Sequence, residues 1–224
     1  MKNSLSCLLL GGGKSSRMGR SKGLVSYGGK PWLEAQLELL SHCPIDRLVL
    51  VLGPNFREYE RQIPWLAKAH EGELSHSGLR VKVVHNLEVE KGPFSSLQMG
   101  LTHWAASEPM GPCFVLPIDT PCPQPDVWQK LNQYMNKFQA QVALPTFESK
   151  GGHPVLLQHD FIQRLLQVPL QDNPEARLDR QMYLLADQLR VRVPVDDPQV
   201  VMNLNTPDQW QAYCSRTSHC PKEE

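Results

Sequence analysis

No excess of either charge sign is present: 23 Lys and Arg residues balance 23 Asp and Glu across 224 residues, and neither sign forms a long run. A chain held on nucleic acid or anionic lipid by bulk electrostatics is thereby excluded, and any phosphate-binding charge must be local. Long apolar runs are missing too. The stretch Leu5 to Leu10 is too short to span a bilayer and runs straight into glycines, without the longer apolar core and small-residue cleavage site of a signal peptide. It reads as a buried strand and the protein as cytoplasmic, with neither a membrane nor a nucleic acid among its partners. The six cysteines include no C-x-x-C pair. His42-Cys43 and His219-Cys220 are adjacent rather than at ligand spacing, which argues against a zinc site. Without a secretory signal a disulfide framework has little support, and Cys7 and Cys113 read as buried free thiols. Internal repeats and low-complexity linkers are also absent. The pattern predicts one domain over residues 1–214 and a short, polar, frayed tail over residues 215–224.

What is present is an ordinary globular composition, 41% hydrophobic and 21% charged, with apolar runs of strand length alternating with helix-length segments, the pattern of an α/β protein. The predicted strands are Leu5–Leu10, Arg47–Leu52, Leu79–His85, Cys113–Pro117, Gln141–Pro145, His153–Leu157 and Arg190–Pro194. Their continuous apolar character implies burial on both faces. Helices are expected over Trp32–Ser41, Phe56–Ala67, Phe94–Ala106, Pro125–Phe138, Asp160–Gln167, Pro174–Gln188 and Pro207–Tyr213, with prolines marking several starts.

The most informative segment runs from Leu8 to Lys22, where the first strand enters a glycine-rich, basic loop. Consecutive glycines let backbone N–H groups approach an anion, and Lys14, Arg17, Arg20 and Lys22 supply charge enough for a triphosphate. The loop is not a Walker A motif: Gly13-Lys14-Ser15 fits its end, but the first glycine would fall at Leu8. Nor is it a dinucleotide fingerprint, because Gly11-x-Gly13 is followed by Ser16 where glycine is needed.

The string Leu10-Gly11-Gly12-Gly13-Lys14-Ser15-Ser16-Arg17-Met18-Gly19, followed by Lys22, resembles the L-x-G-G-x-S-x-R-M-G-x-x-K signature of nucleotidyltransferases that attach GMP or CMP to molybdopterin. Further similarities follow in that family's order: Lys91-Gly92-Pro93-Phe94-Ser95-Ser96-Leu97, Leu116-Pro117-Ile118-Asp119-Thr120-Pro121, and Asn203-Leu204-Asn205-Thr206-Pro207-Asp208. The resemblance spans nearly the whole chain. It implies a three-layer Rossmann-like fold of the nucleotide-diphospho-sugar transferase (GT-A-like) type with a mostly parallel central sheet. Its cofactor would be Mg2+, its donor GTP or CTP and its acceptor molybdopterin or the molybdenum cofactor. A molybdoenzyme or a cofactor-insertion protein would be a further partner.

The resemblance also implies roles. Leu10, Gly11, Gly12, Gly13, Lys14, Ser15, Arg17 and Lys22 would hold the triphosphate, with Arg17 as a planar fork, Lys22 as a point charge and the glycines as backbone donors. Asp119 would bind the metal, and Arg17, Lys22 and Asp119 would form the catalytic set. Asn55 and Asn86 would lie near base and ribose, with Gly92, Pro93, Ser95 and Ser96 around the nucleotide. Asn205 would complete the metal environment or, with Asn203, contact the acceptor; an Asx turn capping the last helix explains these asparagines equally well. Likewise Ser95 and Ser96 fit simple helix caps, and Asp119 alone fits a turn residue. Gly151-Gly152-His153-Pro154 and Pro174-Glu175-Ala176-Arg177 are similar to stretches of the cytidylyl branch, and His153 reads as structural. Ser21 departs from the aspartate expected before Lys22. Gly12-Gly13 and Gly92-Pro93 lean toward the guanylyl branch and Ser95-Ser96-Leu97 and Gly152-His153-Pro154 toward the cytidylyl branch, with GTP favoured over CTP. Two other readings stand beside this one: a sugar-phosphate or polyol-phosphate nucleotidyltransferase of the same fold, and a non-catalytic nucleotide-binding protein.

Overall fold

The structure is a computed structural model that describes residues 5–13, 20–106 and 111–217. Strand β1 (Ser6–Gly11) opens the chain. A small hairpin of β2 (Ser26–Tyr27) and β3 (Lys30–Pro31) leads into α1 (Trp32–Ser41) and β4 (Arg47–Leu52). Helices α2 (Phe56–Gln62) and α3 (Trp65–Glu71) precede β5 (Leu74–His76) and β6 (Leu79–His85). Then come α4 (Pro93–Ala105), β7 (Cys113–Pro117), α5 (Pro125–Phe138), β8 (Val142–Phe147), β9 (Lys150–Gly151) and β10 (Val155–Leu157). The chain continues through α6 (His159–Leu166), α7 (Leu178–Tyr183), β11 (Arg190–Pro194) and α8 (Pro207–Thr217).

Nine strands form one sheet in the order β11-β8-β10-β7-β1-β4-β6-β5, with β9 paired to β8. Strand β1 lies between β4 and β7 and is parallel to both, and β6 continues the parallel set beyond β4. The chain therefore leaves β1 toward one side and later returns on the other, which places a topological switch point at the C-terminal ends of β1 and β7, where open α/β sheets leave a crevice for ligands. Antiparallel pairing is confined to β10 and to the additions β5 and β9.

Alternation along the strands feeds two cores. Leu8, Val49, Val51 and Val115 pack on one face with α4 and α6. Leu9, Leu48, Leu50, Phe114 and Leu116 pack on the other with α1, α3 and α5. Because successive side chains point to opposite faces, one run such as Cys7-Leu8-Leu9, wholly buried, serves both layers. Burial of each such leucine stabilises the fold by about 1.5–3 kcal/mol.

Three departures from the predicted elements have local causes. The helix expected over Phe56–Ala67 is broken between α2 and α3 at Ile63-Pro64, where Ile63 has φ −130° and ψ 77°; proline lacks an N–H and pushes its predecessor out of the helical region. The helix expected over Pro174–Gln188 shrinks to α7, because Asn173 Oδ1 accepts from the Glu175 N–H at 3.0 Å and holds that start as a turn. Helix α8 runs three residues past Cys214, into the segment read as a tail; residues 218–224 lie outside the described set. Cys7, Cys43, Cys113 and Cys122 are buried free thiols, while Cys214 is disulfide-bonded, a pairing the scattered spacing did not predict.

Candidate active site

The glycine loop and the Asp119 turn leave adjacent parallel strands at the same end of the sheet. Beyond the ladder, the Ile118 N–H donates to the Leu10 carbonyl at 2.9 Å and keeps the two segments side by side. Gly12 is required by closeness: a methyl group there would stand 2.7 Å from Ser96 Oγ. Helix α1 grips the other turn. Trp32 Nε1 donates to the Ile118 carbonyl at 2.7 Å, Gln36 Nε2 donates to the Thr120 carbonyl at 2.8 Å, and the Cys122 N–H donates to Gln36 Oε1 at 2.8 Å. Gln36 is fully buried, so the backbone on either side of Asp119 is tied to a rigid helix.

The segment Asn203–Asn205 joins this turn through the Leu204 N–H, which donates to the Asp119 carbonyl at 2.7 Å. Helix α8 is capped by Thr206 and Gln209. Gln209 Oε1 accepts from the N–H groups of Asn205 and Thr206 at 2.8 and 3.1 Å, and Thr206 Oγ1 accepts from the Gln209 N–H at 3.3 Å, a reciprocal cap. The Asn205 side chain is thus not needed for capping. Its Oδ1 accepts from Lys22 Nζ at 2.5 Å, and the same ammonium donates to Asp119 Oδ2 at 2.8 Å.

A cavity of about 410 Å³ lies over this cluster, lined by Gly12, Gly13, Lys22, Gly92, Pro93, Ser96 and Asp119 among others. The first turn of α4, with Pro93 at its start, contributes the positive end of the helix dipole to its wall. A second cavity of about 660 Å³ shares Leu10, Pro93 and Pro117 with the first and continues along Phe94, Leu97, Val115, Leu144, Val155 and Met182 to His153 and Arg177. It is mostly apolar. Burial lowers the pKa of His153, so its ring is neutral there, and Arg177 forms a two-pronged pair with Asp179 at 3.0 and 2.9 Å.

Asp119 Oδ2 and Asn205 Oδ1 converge on one cation, the Lys22 ammonium. Two hard oxygens so arranged suit a hard divalent cation that takes its remaining ligands from waters and phosphate. Among the described residues no group of three or more His, Cys, Asp or Glu offers a competing metal site.

The structure brings Leu10, Gly12, Gly13, Lys22, Gly92, Pro93, Ser96 and Asp119 to one cavity, with Asn205 bonded to Lys22 at its edge. Gly11 is buried at the end of β1, and Asn203 is exposed beside the Asp119 turn. Asn55 is exposed and donates to Ser21 Oγ at 3.3 Å. Asn86 stands behind the cavity wall, bonded to Ser96. It is fully buried, and its Nδ2 donates to Ser95 Oγ and Ser96 Oγ at 2.8 and 2.9 Å while its Oδ1 accepts from the Glu88 N–H at 3.0 Å. It braces the start of α4 from behind. Ser95 shares that work, donating to the Gly92 carbonyl at 2.7 Å. Lys14, Ser15 and Arg17 lie outside the described residues. Sequence reasoning missed Gln36, because a polar residue on an amphipathic helix carries no mark of its partner. It also left out of the site Ala176 and Arg177, and His153, which share one cavity.

A parallel sheet whose glycine-rich first loop faces a lysine, an aspartate and an asparagine across a cavity at the strand ends defines a nucleotidyltransferase of the Rossmann-like class. Comparison with known proteins makes this particular. The chain belongs to the MobA-like NTP transferase family, whose domain matches residues 7–193. It is 22% identical over 209 residues to the molybdenum cofactor cytidylyltransferase of Escherichia coli (strain K12), covering 93% of this chain and 94% of that protein. It is 27% identical over 221 residues to the molybdenum cofactor guanylyltransferase of Ectopseudomonas mendocina (strain ymp), covering 92% and 90%. Among solved structures, the molybdopterin-guanine dinucleotide biosynthesis protein A of Archaeoglobus fulgidus superposes with a TM-score of 0.67 at 22% identity, over 95% of this chain and 98% of that one. Among the described residues no helix is long and apolar enough to cross a membrane.

Proposed function

We propose that this protein transfers GMP from GTP to the phosphate of molybdopterin or the molybdenum cofactor and releases pyrophosphate. The observation that carries the reading is the meeting of Lys22 and Asp119 beside Gly12 and Gly13 in one cavity, with Asn205 bonded to Lys22. In the reaction, an acceptor phosphate oxygen attacks the α-phosphorus in line as the bond to pyrophosphate breaks. The acceptor is already an anion near neutral pH, so catalysis consists of positioning and charge neutralisation rather than proton abstraction. Lys22 and Arg17 take the phosphate charge, with Lys14, Ser15 and the glycine backbone completing the cradle. Asp119 and Asn205 would hold a magnesium ion, which when bound supplies Lewis-acid neutralisation of phosphate oxygens.

The choice of GTP rests on the resemblance of Gly12-Gly13 and Gly92-Pro93 to the guanylyl branch, set against Ser95-Ser96-Leu97 and Gly152-His153-Pro154, which resemble the cytidylyl branch. The choice of a heterocyclic acceptor is supported by the adjoining cavity, whose wall of Leu, Val, Phe, Pro and Met side chains offers apolar faces to a flat ring, with His153, Arg177 and Asp179 as polar partners for its edges. Pyrophosphate release, measured with each of four nucleoside triphosphates against molybdopterin, a hexose phosphate and methylerythritol phosphate, tests donor and acceptor together. The expected result is release with GTP and molybdopterin and Mg2+. Release with a sugar or polyol phosphate alone, or nucleotide binding without release, would overturn the proposal.

A further inference from the structure

Lys22 carries a long, flexible side chain, yet its ammonium meets two separate oxygens at 2.8 and 2.5 Å. Something must hold its backbone so that the side chain is delivered to that point. The residues on either side of it are both bonded to the first turn of α2. Ser21, only 3% exposed, donates its hydroxyl to Glu58 Oε2 at 2.9 Å and accepts from Asn55 Nδ2 at 3.3 Å. The Gly23 N–H donates to the Tyr59 hydroxyl at 3.1 Å, a buried contact. Tyr59 lies so close that a methyl group on Gly23 would stand 2.7 Å from its ring, so glycine is the residue that admits it. The helix is itself anchored: Phe56 stacks on His85 at 3.9 Å, His85 stacks on His70 at 3.8 Å, and Glu60 Oε1 lies 3.3 Å from His85 Nε2.

We propose that Glu58 and Tyr59 are positioning residues, clamping Ser21 and Gly23 so that the Lys22 ammonium is held on Asp119 and Asn205. Glu58 acts through Ser21, and Tyr59 through the Gly23 backbone and the Ser21 hydroxyl. Neither touches the cavity. Lys22 opens a 3-10 turn in which the Leu24 N–H donates to the Ser21 carbonyl at 2.9 Å and the Val25 N–H to the Lys22 carbonyl at 3.1 Å; the two ties from one turn of α2 fix the direction in which that turn presents its lysine. The consequence for catalysis rests on the transferase reading above, whereas the clamp itself is a statement about where Lys22 stands.

The clamp is tested by labelling amines of the intact protein with an N-hydroxysuccinimide ester and quantifying Lys22 by peptide mass spectrometry, with Lys30 and Lys130 as internal references. Release of Lys22 from its two oxygens is expected to raise its labelling roughly fivefold or more in Glu58→Ala and further in Glu58→Ala/Tyr59→Phe. The references should be unchanged. Glu58→Gln, which keeps an acceptor for the Ser21 hydroxyl, should label as the parent does. Ser21→Ala should label at least as strongly as Glu58→Ala, and adding Glu58→Ala to it should change nothing, because Glu58 acts through that hydroxyl. Should Glu58→Ala raise every lysine together, as unfolding would, the milder Ser21→Ala and Tyr59→Phe variants decide. Parental labelling of Lys22 in Ser21→Ala and Tyr59→Phe, or full additivity of Ser21→Ala with Glu58→Ala, overturns the proposal. In pyrophosphate release, Glu58→Ala should lower turnover in the parent but have no further effect in a Lys22→Met background; an equal loss in both backgrounds is also contrary. A parent protein that labels as expected but releases no pyrophosphate would remove the transferase reading and leave the clamp standing.

Discussion

Lys22 and Asp119, 97 positions apart in the chain, meet at 2.8 Å, and the same ammonium reaches Asn205 from a third segment. The contact joins the loop after the first strand, the turn after its parallel neighbour and the start of the last helix. Both side chains remain partly open, 17% and 22% exposed, so an incoming phosphate or metal ion can compete for them.

Replacing Asp119 with Ala or Asn should lower kcat for pyrophosphate release by at least about 100-fold, the scale of losing one preorganised electrostatic group. The fold should persist, because the turn is held by Trp32 and Gln36 through its backbone. Circular dichroism and steady-state kinetics together check this. Near-parental turnover with Mg2+ would remove Asp119 from the reaction.

Asn205 and Thr206 should separate function from stability. Asn205→Ala removes an oxygen from Lys22 but leaves the α8 cap intact, so turnover should fall roughly tenfold with little change in unfolding free energy. Thr206→Ala removes the cap and should cost about 0.5–2 kcal/mol of stability with a smaller kinetic effect. Denaturant melts beside kinetics read the two apart. The reverse pattern would make Asn205 a capping residue.

Asn86→Ala leaves the Glu88 N–H without its acceptor and Ser95 and Ser96 without their donor, and should destabilise by about 1–3 kcal/mol. Because Ser96 lines the nucleotide cavity, the KM for the triphosphate should rise more than kcat falls. An unchanged KM would confine Asn86 to a purely structural brace.

Burial, with the neighbouring His70 ring, brings His85 down to about 4. The ring is therefore neutral in the folded protein and binds a proton more readily once unfolded, where its pKa is about 6.5. Its contribution is complete above about pH 6.5 and is lost as the pH falls from there through about 4. Solvent and the nearby Glu60 carboxylate reduce this to on the order of 1–2 kcal/mol. Urea unfolding at pH 7.5 and 4.5 should show a larger loss for the parent than for His85→Phe. Equal losses would show that His85 does not carry this dependence.

Much of the frame was legible before folding. Strands β4, β6, β7 and β11 and helices α1 and α5 begin and end where apolar period and proline place them. From Leu48 on, β4 is continuously apolar, as is β7, and both are buried on both faces as expected; a proline-led helix announces its own start. Strands β6 and β11, expected to be buried on both faces, instead leave their charged residues at least partly exposed, because Leu-Arg-Val-Lys and Arg-Val-Arg-Val alternate. The break at Pro64 was written in the sequence but lost inside a longer periodic stretch. The short start of α7 was hidden, because its turn is made by an asparagine side chain folding back on the backbone.

In the site, the glycine loop, Lys22 and Asp119 could be named from contiguous strings, since phosphate binding needs glycines and cations close together along the chain. The ends of Asn86, Gln36 and Glu58 could not. A buried amide or carboxylate has the same appearance in sequence whether it meets a ligand, a hydroxyl or a carbonyl. Its partner is chosen by how the helices pack on the sheet. Local chemistry, encoded by neighbours in sequence, set the strands, the loop and the class of reaction to expect. Long-range packing chose that Asn205 faces Lys22, that Asn86 stands behind Ser96, and that Ser21 finds a carboxylate 37 residues away, because those contacts exist only once separate elements have been brought together.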